Sequence, residues 1–387
     1  MQAELNAIVP LEPLFAYIER QQEDLIREII QICEIPAPTF EEGRRAAFVA
    51  ERMRALGLQQ VEIDEIDNVT GILEGNRAGP TLLLNAHLDT VFPAGTDTTV
   101  TRKGGKLHAP GIGDNSTNLG ALLFLARLLR ENAVPFPGRL IFAANVGEEG
   151  LGDLRGIKRL MTTWAGKVDR VLVVDGKLGN IVNAGVGSRR YRIEVEAEGG
   201  HSWGDFGASS AIHALGEIIS RIARLSVPAE PRTTYNVGKI WGGTSVNSIA
   251  EEAGGLLDMR SVSPEALARL EERVLQICDA VEKEFRVTVT RELVGDRPAA
   301  SNQSNAGMVR LVRTIHQELG IPSDIKPSST DANVPIAQQI PAVTIGTYRG
   351  ENGHRLEEFI YEDSLPLGMK QLLTVVLALQ YFPPETS

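Results

Sequence analysis

The apolar positions of this chain show two textures, and the change between them predicts its architecture. From Leu14 to Ile32 apolar residues recur at helical spacing. A Pro-rich turn, IPAPTFEEG, then leads into a second helix, RRAAFVAERMRALG, that stops on Gly57. Four apolar runs of strand length follow along the chain: TLLLNAH, RLIFAANVG, RVLVVDG and AVTIGT. Each is too uniformly apolar for a strand with one wet face, so helices are expected on both faces, as in an α/β sheet. Segments of helical pattern, LGALLFLARLLRE and LRGIKRLMTTW, lie between them.

From about residue 188 the texture changes, because SRRYRIEVEAE alternates apolar and polar residues as a half-exposed strand does. A helix (SAIHALGEIISRIARL), two strands (TYNVGKIWGG and NSIAEEAGGLLDMRSV), a second helix (PEALARLEERVLQICDAVEKEF) and a last strand (RVTVTRELV) complete the order βαββαβ, a ferredoxin-like unit. Afterwards GMVRLVRTIHQELG and AVTIGT return to the first texture. The expected organisation is therefore one domain built from residues 1–186 and 298–387, with residues 187–297 inserted into it.

Length and composition narrow the function classes. A chain of 387 residues with 43% hydrophobic content exceeds what one core usually organises, in keeping with two domains. A formal charge of −11, with no Lys/Arg-rich run, argues against nucleic acid or an anionic membrane as partner. The two cysteines, Cys33 and Cys278, are far apart and sit in helical patterns, so no disulfide framework is expected. The first twenty residues do not read as a secretory signal, and no run of eighteen apolar residues occurs, so a cytoplasmic protein is expected.

Residues able to bind metal collect at or beyond the carboxyl ends of the apolar strands: His87 and Asp89, Glu148 and Glu149, Asp175, and His354. In open α/β sheets that edge is where ligands bind. Taken singly, most of these residues have two readings. His87 can be a hydrogen-bonded strand end; alternatively, period-two geometry puts it on the same side as Asp89, which then takes its second ring N–H and orients it as a ligand. Asp114, in a glycine-bearing loop running into a helix, can serve the turn or bridge two cations with its two oxygens. Adjacent Glu148 and Glu149 repel each other at a buried strand end unless a cation or proton offsets them, and their side chains diverge, so one can bind metal while the other faces a water as base. Asp175 is also a turn signal, and His354 alone would be a surface histidine. Two imidazoles and four carboxylates match Zn2+, with Mn2+ or Co2+ as alternatives. No Gly-x-Ser-x-Gly, Walker A or dinucleotide fingerprint is present.

HLDTV, GIGDNS, EEG, VVDG, GGHS, GGTSVNSIA, DMRS, SSTDA and the final GENGH follow one another in an order and spacing that resembles the co-catalytic zinc family of peptidase T, carboxypeptidase G, succinyl-diaminopimelate desuccinylase, acetylornithine deacetylase and the carnosinase-like dipeptidases. The likeness runs over nearly the whole chain. It implies a zinc-exopeptidase-like mixed sheet flanked by helices, with the inserted domain as a lid and dimerisation element. It also implies two zinc ions per subunit, one held by His87, Asp114 and Asp175, the other by Asp114, Glu149 and His354. Glu148 would be the general base acting on a metal-bridging water, and Asp89 would support His87. His201 of the inserted domain would reach across a homodimer to stabilise the oxyanion, with Asn247 and Arg260 binding substrate. His108, His213 and His316 are expected to take no catalytic part.

Two positions depart from the family pattern: Ser116 stands where Lys is usual, and Asp175 where the deacylases and carboxypeptidase G carry Glu. Aspartate there resembles the tripeptidase and dipeptidase branches, so an exopeptidase of short peptides is the first reading. An N-acyl-amino-acid amidohydrolase or carboxypeptidase with the same machinery is the second. A non-catalytic metal- or peptide-binding relative is the third, opposed by the presence of Glu148 beside every ligand.

Overall fold

The structure is a computed structural model and describes residues 1–301 and 305–382. The chain divides into two compact units, Met1–Gly185 with Ser301–Ser387, and Val186–Ala300.

At the centre of the first unit the four uniformly apolar runs lie side by side, in the order Pro137–Asn145, Arg77–His87, Arg170–Val174, Ala342–Ile345. All three neighbouring pairs are parallel. Antiparallel strands Val69–Glu74 and Asn180–Gly185 flank them, so the sheet is mixed. Residues Leu82 to His87 are buried without interruption, as a strand covered on both faces requires. Helix Asn118–Glu131 and the last helix, Leu365–Tyr381, are buried nearly all round. That fits their sequences, which are apolar on every face. No helix among the described residues is long and apolar enough to cross a membrane.

The predicted helix from Leu14 to Ile32 is two helices, Leu11–Arg20 and Gln22–Cys33, broken at Gln21. The break lets both apolar stripes, Leu14 and Ile18 in one and Leu25, Ile26 and Ile29 in the other, enter the same core. A feature with no counterpart in the sequence reading is a sheet of four very short strands, Gly350–Glu351, Phe359–Tyr361, Lys106–His108 and Thr101–Lys103. It joins the two loops that carry Asp114 and His354.

In the second unit the antiparallel order is Thr233–Gly242, Glu252–Ser261, Gly187–Glu196, Thr288–Arg297, the ferredoxin-like arrangement. Helices Ala211–Ala223 and Pro264–Phe285 pack on it, with Ile193, Ile218, Leu257, Met259, Leu270 and Val274 in the core. The second helix starts sharply because the Ser263 hydroxyl accepts the Ala266 N–H at 3.2 Å and Pro264 holds the first helical position. The single strand expected over residues 247–262 is interrupted: Ser248–Ile249 pairs with Gly200–His201, and Glu252–Ser261 enters the main sheet.

Candidate functional site

The carboxyl ends of the four parallel strands deliver His87, Glu148 with Glu149, Asp175 and the loop to His354 to one edge of the first unit. His87 closes its strand and is buried. Its Nδ1 lies 3.0 Å from the main-chain oxygen of Asp89 and must therefore donate, so Nε2 is the ring nitrogen turned toward the other acids and the one that would ligate a metal. The Asp89 carboxylate, expected from the sequence to take this N–H, faces the same nitrogen at 3.5 Å. The carboxylate also accepts the backbone N–H groups of Glu148 at 3.0 Å and Glu149 at 2.9 Å, and the Thr39 hydroxyl at 3.0 Å. Asp89 thus fixes the backbone of both glutamates.

Two further buried charges brace this corner, and neither was foreseen. Arg45 points its guanidinium at carbonyls: Leu88 O at 2.8 Å and Ile35 O at 2.6 and 2.9 Å, so it ties the strand end to the IPAPT loop. Glu42 accepts the Gly147 N–H at 3.1 Å and is gripped by Arg155 on both oxygens. Gly147 has φ +66, a left-handed conformation that favours glycine, and a Cβ there would crowd the Arg155 side chain, so glycine eases the turn before the two glutamates.

Asp114 stands between the two histidines. Its Oδ1 is 3.0 Å from His87 Nε2 and its Oδ2 is 3.0 Å from His354 Nε2. His354 Nε2 is also 3.1 Å from Glu149 Oε1, and Asp175 Oδ1 is 3.9 Å from His87 Nε2. Among the described residues three groups have ligand atoms close enough to share an ion: His87, Asp114 and Asp175; Asp114, Glu149 and His354; and His87, Glu148 and Glu149. Asn352 and His354 both take left-handed backbone conformations, at φ 61 and 65, which turn the imidazole back toward Asp114. Ser116, where the family pattern has Lys, is fully buried; a small side chain fits that position.

The electrostatics show a site with more acid than it can carry alone. Burial opposes charge on His87, but Asp114, Asp89 and Asp175 outweigh it and hold the ring well above its usual range. Asp114 and Glu149 push His354 up to about 11. Burial and then the charge of Asp114 push Asp175 up to about 7. Burial, then Asp114, likewise moves Glu358 to about 7, against three backbone N–H donors that pull it down. Buried carboxylates in this number call for cations, and the N and O donors present fit divalent metal.

Of the remaining predicted residues, His201 and Asn247 lie together on the second unit, both exposed, with the Ser202 N–H donating to Asn247 O at 3.0 Å. His201 Nδ1 accepts the backbone N–H groups of Trp203 and Gly204, each at 3.2 Å, so the ring proton resides on Nε2. Arg260 is elsewhere: it pairs in register with Ser188, at the other end of the strand that begins at Glu252, about 25 Å along the sheet at strand rise. Its Nε donates to Asp258 at 2.7 Å. His316 is a buried structural residue between Ser323 and Gln371, His108 packs on Phe359, and His213 is exposed on a helix.

The family description "Peptidase family M20/M25/M40" matches residues 83–378. Protein YqjE of Bacillus subtilis is 24% identical over 339 residues, covering 84% of this chain and 90% of that protein. The acetylornithine deacetylase of Myxococcus xanthus is 29% identical over 295 residues, covering 72% and 71%. Among solved structures, a tripeptidase from Staphylococcus aureus superposes with a TM-score of 0.78 at 23% identity, covering 93% of this chain and 99% of that one.

Proposed function

The chain belongs to peptidase family M20/M25/M40, and from that membership we propose that it is a dinuclear zinc-dependent exopeptidase cleaving short peptides. As a family member it is a metallohydrolase that acts on amide bonds. The observation that carries the two-metal reading is Asp114, whose two oxygens each face a different imidazole at 3.0 Å. On this reading His87, Asp114 and Asp175 hold one zinc, and Asp114, Glu149 and His354 the other. Imidazole and carboxylate donors without thiolate suit Zn2+, with Mn2+ or Co2+ as substitutes. When bound, the metal pair polarises the scissile carbonyl and lowers the pKa of water.

The chain's own residues do the rest. Glu148, buried beside His87 and Glu149, takes a proton from the attacking water on its carboxylate and passes it to the leaving nitrogen. Asp89 keeps the two glutamates in place through their N–H groups. His201 offers its Nε2–H to the developing oxyanion from the partner in a homodimer. Asn247 and Arg260 bind substrate; because Arg260 spends its Nε on Asp258, a substrate carboxylate would meet its terminal nitrogens. Unpartnered apolar side chains support the dimer: Trp203, Phe206 and Val246 are 88%, 91% and 102% exposed, and all three lie in the loops that hold His201 and Asn247. Both cysteines are buried free thiols, which fits a reducing cytoplasm.

Likeness to a deacetylase keeps N-acyl-amino-acid hydrolysis as the second reading. Asp175, one methylene shorter than glutamate, favours the peptidase. Panels of di- and tripeptides set against N-acetyl, N-succinyl and carbamoyl amino acids separate the two. Turnover of free peptides is expected, lost on chelation and restored by Zn2+, Mn2+ or Co2+; turnover of the acylated set alone would overturn the peptidase choice.

A further inference from the structure

We propose that Glu358 is a positioning residue that sets the orientation of Asp114, and through it the affinity for both metals. The inference rests on the metal reading of Asp114 given above.

The loop Gly111-Ile112-Gly113-Asp114 offers its backbone N–H groups inward, and one carboxylate receives three of them. Glu358 Oε2 accepts Gly111 N–H at 2.7 Å, and Oε1 accepts Gly113 N–H at 3.1 Å and Asp114 N–H at 3.0 Å. The side chain is 1% exposed. A concave row of N–H groups is a natural anion seat, and here the protein fills it from within. The approach is so close that a Cβ on Gly113 would lie 2.7 Å from Glu358 Oε1 and 2.6 Å from the Tyr348 hydroxyl, so the seat exists only with glycine there.

Position in the chain makes this contact more than a loop staple. Glu358 follows His354 by four residues and begins the turn into strand Phe359–Tyr361, whose Phe359 pairs with His108. Its own carbonyl accepts the Ala109 N–H at 3.2 Å. One residue therefore ties the segment bearing His354 to the segment bearing Asp114, and these two side chains must meet at 3.0 Å. Nothing else in the run Gly111–Gly113 has a polar side chain with which to fix Asp114. Groups that orient a metal-binding side chain in this way typically contribute a 10- to 100-fold factor in affinity.

The test uses Glu358→Gln. Glutamine keeps acceptors for Gly113 and Asp114 but turns an amide NH2 toward the Gly111 N–H, donor against donor. Zinc affinity, measured by competition with a chromophoric chelator, is expected to weaken about 10- to 100-fold for both ions, because both share Asp114. The visible spectrum of the Co2+-loaded protein should change, and excess zinc should recover much of kcat with KM unchanged. Gly113→Ala, which forces the loop off an intact Glu358, should give the same loss and carries the measurement should Glu358→Gln not fold. A lowered Tm with unchanged zinc affinity and Co2+ spectrum in either folded variant overturns the inference and leaves the two-metal reading standing. Failure of the wild-type protein to bind zinc overturns the two-metal reading itself.

Discussion

Glu148 and Glu149 are neighbours in sequence with backbone N–H groups that share one acceptor, Asp89, yet their chemistry is proposed to differ entirely. Glu149 lies 3.1 Å from His354 Nε2, within the group that Asp114 completes, whereas Glu148 falls in a group with His87 and Glu149 only. Removing each should therefore fail in a different way. Glu148→Ala is expected to keep two metal ions per subunit while kcat drops about 10²- to 10⁴-fold, the range general-base catalysis commands. Glu149→Ala should lose one ion as well as activity. Metal analysis of the purified variants alongside steady-state kinetics distinguishes them, and metal loss in Glu148→Ala would reverse the two roles. The strand-end acids and histidines were legible in the sequence because each follows an uninterrupted apolar run. Arg45, Glu42 and Glu358 were not, since a charge within an amphipathic helix or after a polar loop looks like a solvated one; only the folded backbone shows that each meets buried carbonyls or N–H groups.

At the scale of elements, legibility followed length. The four central strands declared themselves by apolar runs, and the parallel sheet follows from them. The short strands Thr101–Lys103, Lys106–His108, Gly350–Glu351 and Phe359–Tyr361 have too few residues to express a period, although they hold the Asp114 and His354 loops together. The break at Gln21 was equally silent, because an amphipathic stripe can be bent without changing its spacing. Helix packing in the first unit also carries a titratable group. His316 on helix Asn305–Leu319 bridges to Gln371 on helix Leu365–Tyr381 at 2.7 Å and to Ser323 at 2.8 Å. Burial lowers its pKa below the ordinary 6.5, so the folded protein prefers the neutral ring. The unfolded chain then binds the proton first: stability from this residue is present above pH 6.5 and falls as pH drops through 6.5 toward the folded value. Denaturant unfolding of wild type and His316→Gln between pH 7.5 and 5.5 measures it. The wild type should lose stability across that window more steeply than the variant; parallel curves would assign the acid sensitivity elsewhere.

For the whole molecule the decisive question is whether one subunit completes another's site. The second unit carries His201 beside exposed Trp203 and Phe206 in a two-stranded sheet of its own, while Arg260 lies in the four-stranded sheet, near the far end of the strand that begins at Glu252. The edge strand Thr233–Gly242, with Ile240 also exposed, leaves a sheet edge for pairing. On the proposed reading a twofold dimer covers this face and His201 acts in the partner's site. Complementation tests that without a structure of the dimer. His201→Ala is expected to lose about 10²- to 10³-fold in kcat, as removal of an oxyanion donor does, and Glu148→Ala is nearly inactive for a separate reason. In a mixed dimer the His201→Ala subunit retains Glu148 and borrows His201 from its Glu148→Ala partner, so one site of the two is whole. If subunits exchange freely, half the dimers are mixed, and roughly a quarter of wild-type activity should return on mixing two inactive preparations. Phe206→Asp, which should leave a monomer by light scattering with its metal retained, should abolish that recovery. No recovery on mixing, with exchange confirmed by differently tagged subunits, would place His201 in its own subunit's site or outside the reaction.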